Sequence, residues 1–202
     1  MNVTAIKQQV KRQGRYSIFV DGTYAFSLSE IALLESKLSI GRELTSDELK
    51  ELKQTSADDK VYNNALAYAT LRLRSTWEME QYLRRKQASA PLADQILNKL
   101  SIMGLLDDEA FARGWVANRR LLKSMSRRKL LQELRAKRVP DDIAQRAVTE
   151  DQTDEQSVLV DLIARKRRQA RYRDDQKLMQ YLAGQGFNYG DIKAALEITE
   201  EL

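Results

Sequence analysis

The chain has 202 residues, 43% of them hydrophobic, enough for the packed core of one large domain or of a row of smaller units. There are 34 Lys and Arg against 29 Asp and Glu, a net charge of +5 that favours acidic partners, so the placement of charge decides more than its sum. Neither cysteine nor histidine occurs, which excludes disulfides, thiolate or imidazole metal sites, HExxH motifs and histidine-based triads, and leaves an enzyme the weaker expectation.

Residues Met1 to Val10 hold no apolar stretch of signal-peptide length, and no window approaches the ~20 apolar residues of a membrane span, so a cytoplasmic protein away from membranes is expected. From Val3 to Leu28 the pattern is that of a small sheet. Tyr16, Ile18 and Val20 alternate with other residues, Asp21-Gly22 supplies a hairpin turn, and Tyr24, Phe26 and Leu28 resume the alternation. A short helix over about Ser29–Ser36 follows, with Gly41 expected to close it. Thr45 and Glu48 then form a capping box for a helix carrying Leu49 and Leu52. The polar stretch Gln54 to Asp59 reads as a linker.

From Lys60 onward apolar residues recur at spacings of three and four, as in Phe111, Trp115 and Leu122, then Leu130 and Leu134. This pattern predicts helices throughout. Ser75 with Glu78, Ser126, and Thr153 with Gln156 mark helix starts, while Pro91, Pro140, Gly104 and Gly184 mark joints. Superposing Leu83, Leu134 and Leu182 exposes a repeat. Each ends a capped helix and is followed by another beginning near Ile96, Ile143 and Ile192, with Leu100, Ala147 and Leu196 four residues further on. The leucines lie 51 and 48 residues apart and the isoleucines 47 and 49, as expected for three copies of a three-helix unit. The expected fold is therefore mainly α: tandem three-helix repeats in an elongated, curved solenoid, with a small N-terminal β-hairpin segment. Expected boundaries are 1–56 for that segment and 57–105, 106–151 and 152–202 for the repeats.

Four acidic pairs, Asp58-Asp59, Asp107-Asp108, Asp141-Asp142 and Asp174-Asp175, fall where helices are expected to begin, and capping explains them better than metal binding. The GxGxxxG spacing of Gly184, Gly186 and Gly190 follows a helix and is not a dinucleotide fingerprint, and no GxxxxGK[ST] loop occurs. Trp77, Tyr82, Phe111, Trp115 and Phe187 lie on apolar stripes and read as core. Tyr172, inside a run of cations, is the aromatic expected to be exposed for base stacking.

Two basic runs are the strongest functional signal. Arg113, Arg119, Arg120, Lys123, Arg127, Arg128, Lys129, Arg135, Lys137 and Arg138 face the single acid Glu133. Arg165, Lys166, Arg167, Arg168, Arg171 and Arg173 have no acid between them. A face that needs only solubility would not banish its acids, so phosphate or an acidic surface is the expected ligand. Arg119, Arg120, Arg127, Arg128 and Lys129 are expected to be the densest contact surface, with Arg165 to Arg173 as a second.

RLRSTWEMEQYLRRK at Arg72–Lys86 and GLLDDEAFARGWVANRR at Gly104–Arg120 are similar to signature segments of the RecX family. VDGTYAFSLS at Val20–Ser29, LLQELRAK at Leu130–Lys137 and the Gly186-Phe187 pair extend the resemblance over most of the chain. Family members usually carry Gly after the lysine that closes the second helix of a repeat; here Lys86 is followed by Gln87 and Lys137 by Arg138. The resemblance implies a modulator, generally an inhibitor, of the RecA recombinase in DNA recombination, repair and the SOS response. It would lie along the groove of the RecA–DNA filament, slowing ATP hydrolysis and strand exchange. Its partners would be the RecA filament and single-stranded DNA, with weaker binding to duplex, and it would act as a monomer, without cofactor or catalysis. Two other readings remain at this stage: a sequence-specific helix-turn-helix-like duplex binder, and a helical adaptor that binds protein alone.

Overall fold

Asp21 and Gly22 both take positive φ, 47° and 82°, the geometry of a type I′ turn, and join β2 (Arg15–Val20) to β3 (Thr23–Ser29) as an antiparallel hairpin. β1 (Val3–Gln8) pairs with the other edge of β2, giving the sheet order β1-β2-β3. Alternation puts Val3, Ile18, Val20, Phe26 and Leu28 on one buried face, which α1 (Glu30–Ser36) and the start of α2 (Ser46–Thr70) cover through Ala32, Leu49 and Leu52. The structure, a computed structural model, describes residues 1–200, so the last two residues of the expected third repeat lie outside the described residues.

Two expectations for this region are corrected. Lys37, at φ 51°, closes α1 by donating its N–H to Leu34 O (3.2 Å). Gly41 (φ 89°) instead turns the chain so that its N–H reaches Val3 O (2.8 Å). Residues 54–59 are no linker, because α2 runs unbroken for 25 residues. The stretch lacks Gly and Pro, and its polar side chains serve the packing: Ser56 Oγ donates to Ser27 O (2.6 Å), and Asp59 accepts from Ser29 N and Oγ and pairs with Arg15 at 3.1 Å. Polarity there marks an anchor to the sheet. The Asp58-Asp59 pair thus lies mid-helix, unlike the other three. The capping box of Thr45 and Glu48 forms as expected.

Eight further helices follow: α3 (Thr76–Arg85), α4 (Ala90–Ile102), α5 (Asp108–Leu122), α6 (Arg127–Ala136), α7 (Asp141–Thr149), α8 (Glu155–Arg167), α9 (Asp175–Gly184) and α10 (Tyr189–Glu200). The chain divides into two compact units, one of Met1–Arg72 and Met79–Met103, the other of Leu73–Glu78 and Gly104 onward. Within the second, Phe111, Val116, Leu130, Leu134 and Val148 form one core, and Leu159, Leu162, Ile163, Leu178, Leu182 and Phe187 another.

The repeat is visible atom by atom. Ser75, Ser126 and Asp174, each eight residues before the repeat leucine, accept a side-chain hydrogen bond from the backbone N–H three residues on, at 3.2, 3.1 and 3.0 Å. Leu83, Leu134 and Leu182 are fully buried. Their carbonyls accept from the N–H three residues on (3.0 Å in all three) and from that of the fifth (3.1, 3.2 and 3.3 Å), which is a Schellman cap. The residue between, Gln87, Arg138 or Gly186, is left-handed at φ 57°, 55° and 94°. In the second unit these ends meet across successive copies: Ser75 Oγ donates to Lys137 O at 3.0 Å, and Ser126 N donates to Gln185 O at 3.1 Å. One helix start differs from expectation: Asp154, not Thr153, caps α8, and Thr153 donates its hydroxyl to Asp151.

Candidate functional site

α5, α6, the turn between them and the cap after α6 carry the first basic run; α8, a 3-10 turn at Ala170–Tyr172 and the residues flanking that turn carry the second. In the first run most cations are occupied. Glu133, its single acid, accepts from Arg119 Nε (2.6 Å) and from Trp115 Nε1 (2.9 Å), with the guanidinium 4.2 Å over the Trp115 ring. Arg120 is nearly buried. It donates to Asp151 Oδ2 (2.7 Å) and to Met125 O (2.6 Å), tying α5 to the loop before α8. Burial by itself would raise the Asp151 carboxyl, but the Thr153 hydroxyl and the Arg120 guanidinium outweigh it and hold the group below its ordinary value.

Arg127 donates to the carbonyls of Asp151 and Thr153, both at 3.1 Å. Arg135 pairs with Asp141 (2.6 Å), and that hydrogen bond lowers the exposed Asp141 carboxyl. Lys137 pairs with Glu78 (2.6 Å), and Arg113 with Glu109 (3.6 Å). Five cations of the run, Lys123, Arg127, Arg128, Lys129 and Arg138, have no ion pair among the described residues; of these Arg127 is taken up by the two carbonyls, and Lys129 Nζ reaches only Gln132 (3.3 Å).

The second run is emptier of partners. Arg167 pairs with Asp175 and donates to Arg173 O at 2.9 Å. Arg165 donates to Ser124 Oγ (2.9 Å), Lys166 lies over the Tyr181 ring (4.5 Å), and Arg171 lies over Tyr172 (5.7 Å). Arg168 and Arg173 are exposed with no ion pair among the described residues. Tyr172 does not stand free as a stacking platform: half-buried, it packs against Tyr181 with ring centroids 5.1 Å apart.

The structure therefore sorts the sixteen sequence-selected cations by availability and draws members of both runs together, since Lys123, Arg165 and Lys166 line one cleft. The signal that could have separated them was the acids outside the runs, Glu78, Asp141 and Asp151, which density within a run ignores. Asp107 and Asp174 act as caps, and Asp108 accepts from Thr76 N (2.8 Å). No group of three or more Asp or Glu among the described residues is arranged to hold a metal ion, and no described helix is long and apolar enough to cross a membrane.

Known proteins give four successive family matches: the regulatory protein RecX N-terminal domain over residues 1–45, and the first, second and third RecX three-helix domains over 62–100, 107–148 and 153–196. Regulatory protein RecX of Bacillus subtilis is 30% identical over 203 residues, covering 98% of this chain and 77% of that protein. Its namesake in Lactobacillus delbrueckii subsp. bulgaricus is 32% identical over 206 residues, covering 99% and 74%. A crystal structure of regulatory protein RecX superposes with TM-score 0.71 at 26% identity over 100% of this chain and 99% of that one. RecX from Lactobacillus salivarius shares the fold at TM-score 0.61 over 72% of this chain and 98% of its own.

Proposed function

The chain belongs to the RecX family, and on that premise we propose that it regulates the RecA recombinase by binding the RecA–single-stranded DNA filament, lowering ATP hydrolysis and strand exchange. The observation that carries this reading is the set of cations in the two basic runs that no carboxylate neutralises and that, unlike Arg127, no pair of backbone carbonyls holds: Lys123, Arg128, Lys129, Arg138, Arg165, Lys166, Arg168, Arg171 and Arg173. Unneutralised cations held by rigid helices suit phosphates and acidic side chains, and cations already paired do not. Arg119, Arg120, Arg127 and Lys137 then position the surface, with Arg113, Arg135 and Arg167 also engaged, while the unpaired set makes the contacts. Of the five cations expected from density to be the main contact surface, only Arg128 and Lys129 stay in the contact set. The protein acts as a monomer, without cofactor or catalysis, and holds duplex DNA less tightly than a single strand.

The test is a titration of this protein, from far below to equal molar ratio, into RecA filaments hydrolysing ATP on single-stranded DNA. Strong suppression well below equimolar is expected. Unchanged hydrolysis with folded protein and assembled filaments contradicts the proposal, and a strong preference for one duplex sequence would replace it with a transcription-factor-like role.

A further inference from the structure

Arg128, Arg138, Arg168, Arg171 and Arg173 are exposed, and repulsion between exposed cations is screened by solvent and salt. One group differs. Lys123, in the turn after α5, and Arg165 and Lys166, near the end of α8, line a single cleft of about 360 Å³ whose other walls are Leu122, Ser124, Tyr181 and Gln185. No carboxylate lines it, and none of the three cations has an ion-pair partner among the described residues. Two of them are held in place: Arg165 donates to Ser124 Oγ at 2.9 Å, and Lys166 lies over the Tyr181 and Tyr172 rings at 4.5 and 5.3 Å. Beside them Leu122 is 70% exposed, an apolar side chain at the lip of a cationic cleft.

We propose that this cleft binds one nucleotide unit of a single strand, its phosphate held jointly by Lys123, Arg165 and Lys166 and its base laid against Leu122. The inference rests on the reading that the chain contacts single-stranded DNA, and names where one phosphate is seated. The volume is at the small end of ligand sites, suited to one nucleotide. Three cations without an acid repel each other until an anion joins them, so the cleft is matched to a phosphate and not to a neutral guest. The base contact requires an unpaired base, because a base stacked and paired within a duplex has no face to offer Leu122.

The test is fluorescence anisotropy of a labelled oligo(dT) with the full chain across a range of salt, with thermal melts to confirm folding. The variants are Lys123→Gln, Arg165→Gln and Lys166→Met, singly and combined; methionine keeps an aliphatic stem on the tyrosine rings. Because one phosphate is shared, each single change is expected to weaken binding severalfold, and the combined loss to fall short of the product of the three. The plot of log K against log salt is expected to become shallower by about 0.7, one single-strand phosphate. Leu122→Ser is expected to weaken binding without altering that slope, and to do nothing on an abasic strand. A slope change near ~2 would mean three separate phosphates, and no change would mean no phosphate in the cleft; either overturns the proposal. Failure of the unmodified chain to bind oligo(dT) at all would instead remove the underlying reading.

Discussion

The run from Arg113 to Arg138 and the run from Arg165 to Arg173 look alike as strings of cations, yet they meet different fates in the fold. In the first, Arg119 and Arg120 are drawn inward onto Glu133 and Asp151, and Lys137 onto Glu78. In the second, a single acid, Asp175, engages Arg167 and the other five keep their charge unneutralised. Local charge density is a property of the string. Available charge is a property of the fold, because acids distant in sequence choose which cations they remove.

The difference should separate stability from binding. The largest effect is expected from Arg120→Ala, which leaves Asp151 nearly buried beside a lost partner. Stability should fall by about 3–5 kcal/mol, seen in denaturant unfolding and as a melting temperature lowered by about 10 °C. Arg168→Glu with Arg173→Glu should do the opposite. Melting is expected to stay within ~1 °C, since exposed unpaired side chains contribute little to stability, while affinity for a single strand falls about tenfold, roughly 1.4 kcal/mol. A double variant that melted early but bound normally would break the comparison.

Acid should find the first region before the second. The Asp151 carboxyl is held below its ordinary 3.8 in the fold, so its stabilising contribution is complete above that value and is lost as pH falls through the folded-state pKa. Asp151→Asn is therefore expected to lower stability at pH 7 and to flatten the decline of stability below about pH 4, measured by unfolding across pH. The smallest effect concerns the left-handed caps. Arg138→Gly and Gln87→Gly should each raise stability by about 0.5–1 kcal/mol in denaturant unfolding by removing a Cβ from a positive-φ site. Only Arg138→Gly should also weaken DNA binding, since Gln87 carries no charge.

Much of the fold was legible because its signals are local. The Asp21-Gly22 turn, the Thr45–Glu48 box and the periodicity of the repeat leucines each lie within a few residues, and each appears in the structure as read. The resemblance placed Gln87 and Arg138 where relatives carry Gly, and both adopt the left-handed backbone that Gly186 adopts in the third copy. Gly186 has a second reason to be Gly, since a Cβ there would lie 2.3 Å from Ser126 Oγ. What was illegible depends on distant partners. Gln54 to Asp59 looked like a linker because its sheet partners, Ser27, which accepts from Ser56, and Ser29, which donates to Asp59, lie about thirty positions away. Tyr172 looked exposed because its packing partner, Tyr181, belongs to the next helix. The candidate surface suffered most, for the pairing of Arg120 with Asp151 spans 31 residues.

The measurement that tests the central claim most directly is single-strand-dependent ATP hydrolysis by RecA, titrated with the unmodified chain and with two variants of comparable exposure and charge loss. One combines Arg168→Gln and Arg173→Gln, from the unpaired set; the other combines Arg113→Gln and Arg135→Gln, from the paired set. Suppression by the unmodified chain and by the second variant, but not by the first, is the predicted result. Loss of suppression in the second variant with full suppression by the first would contradict it.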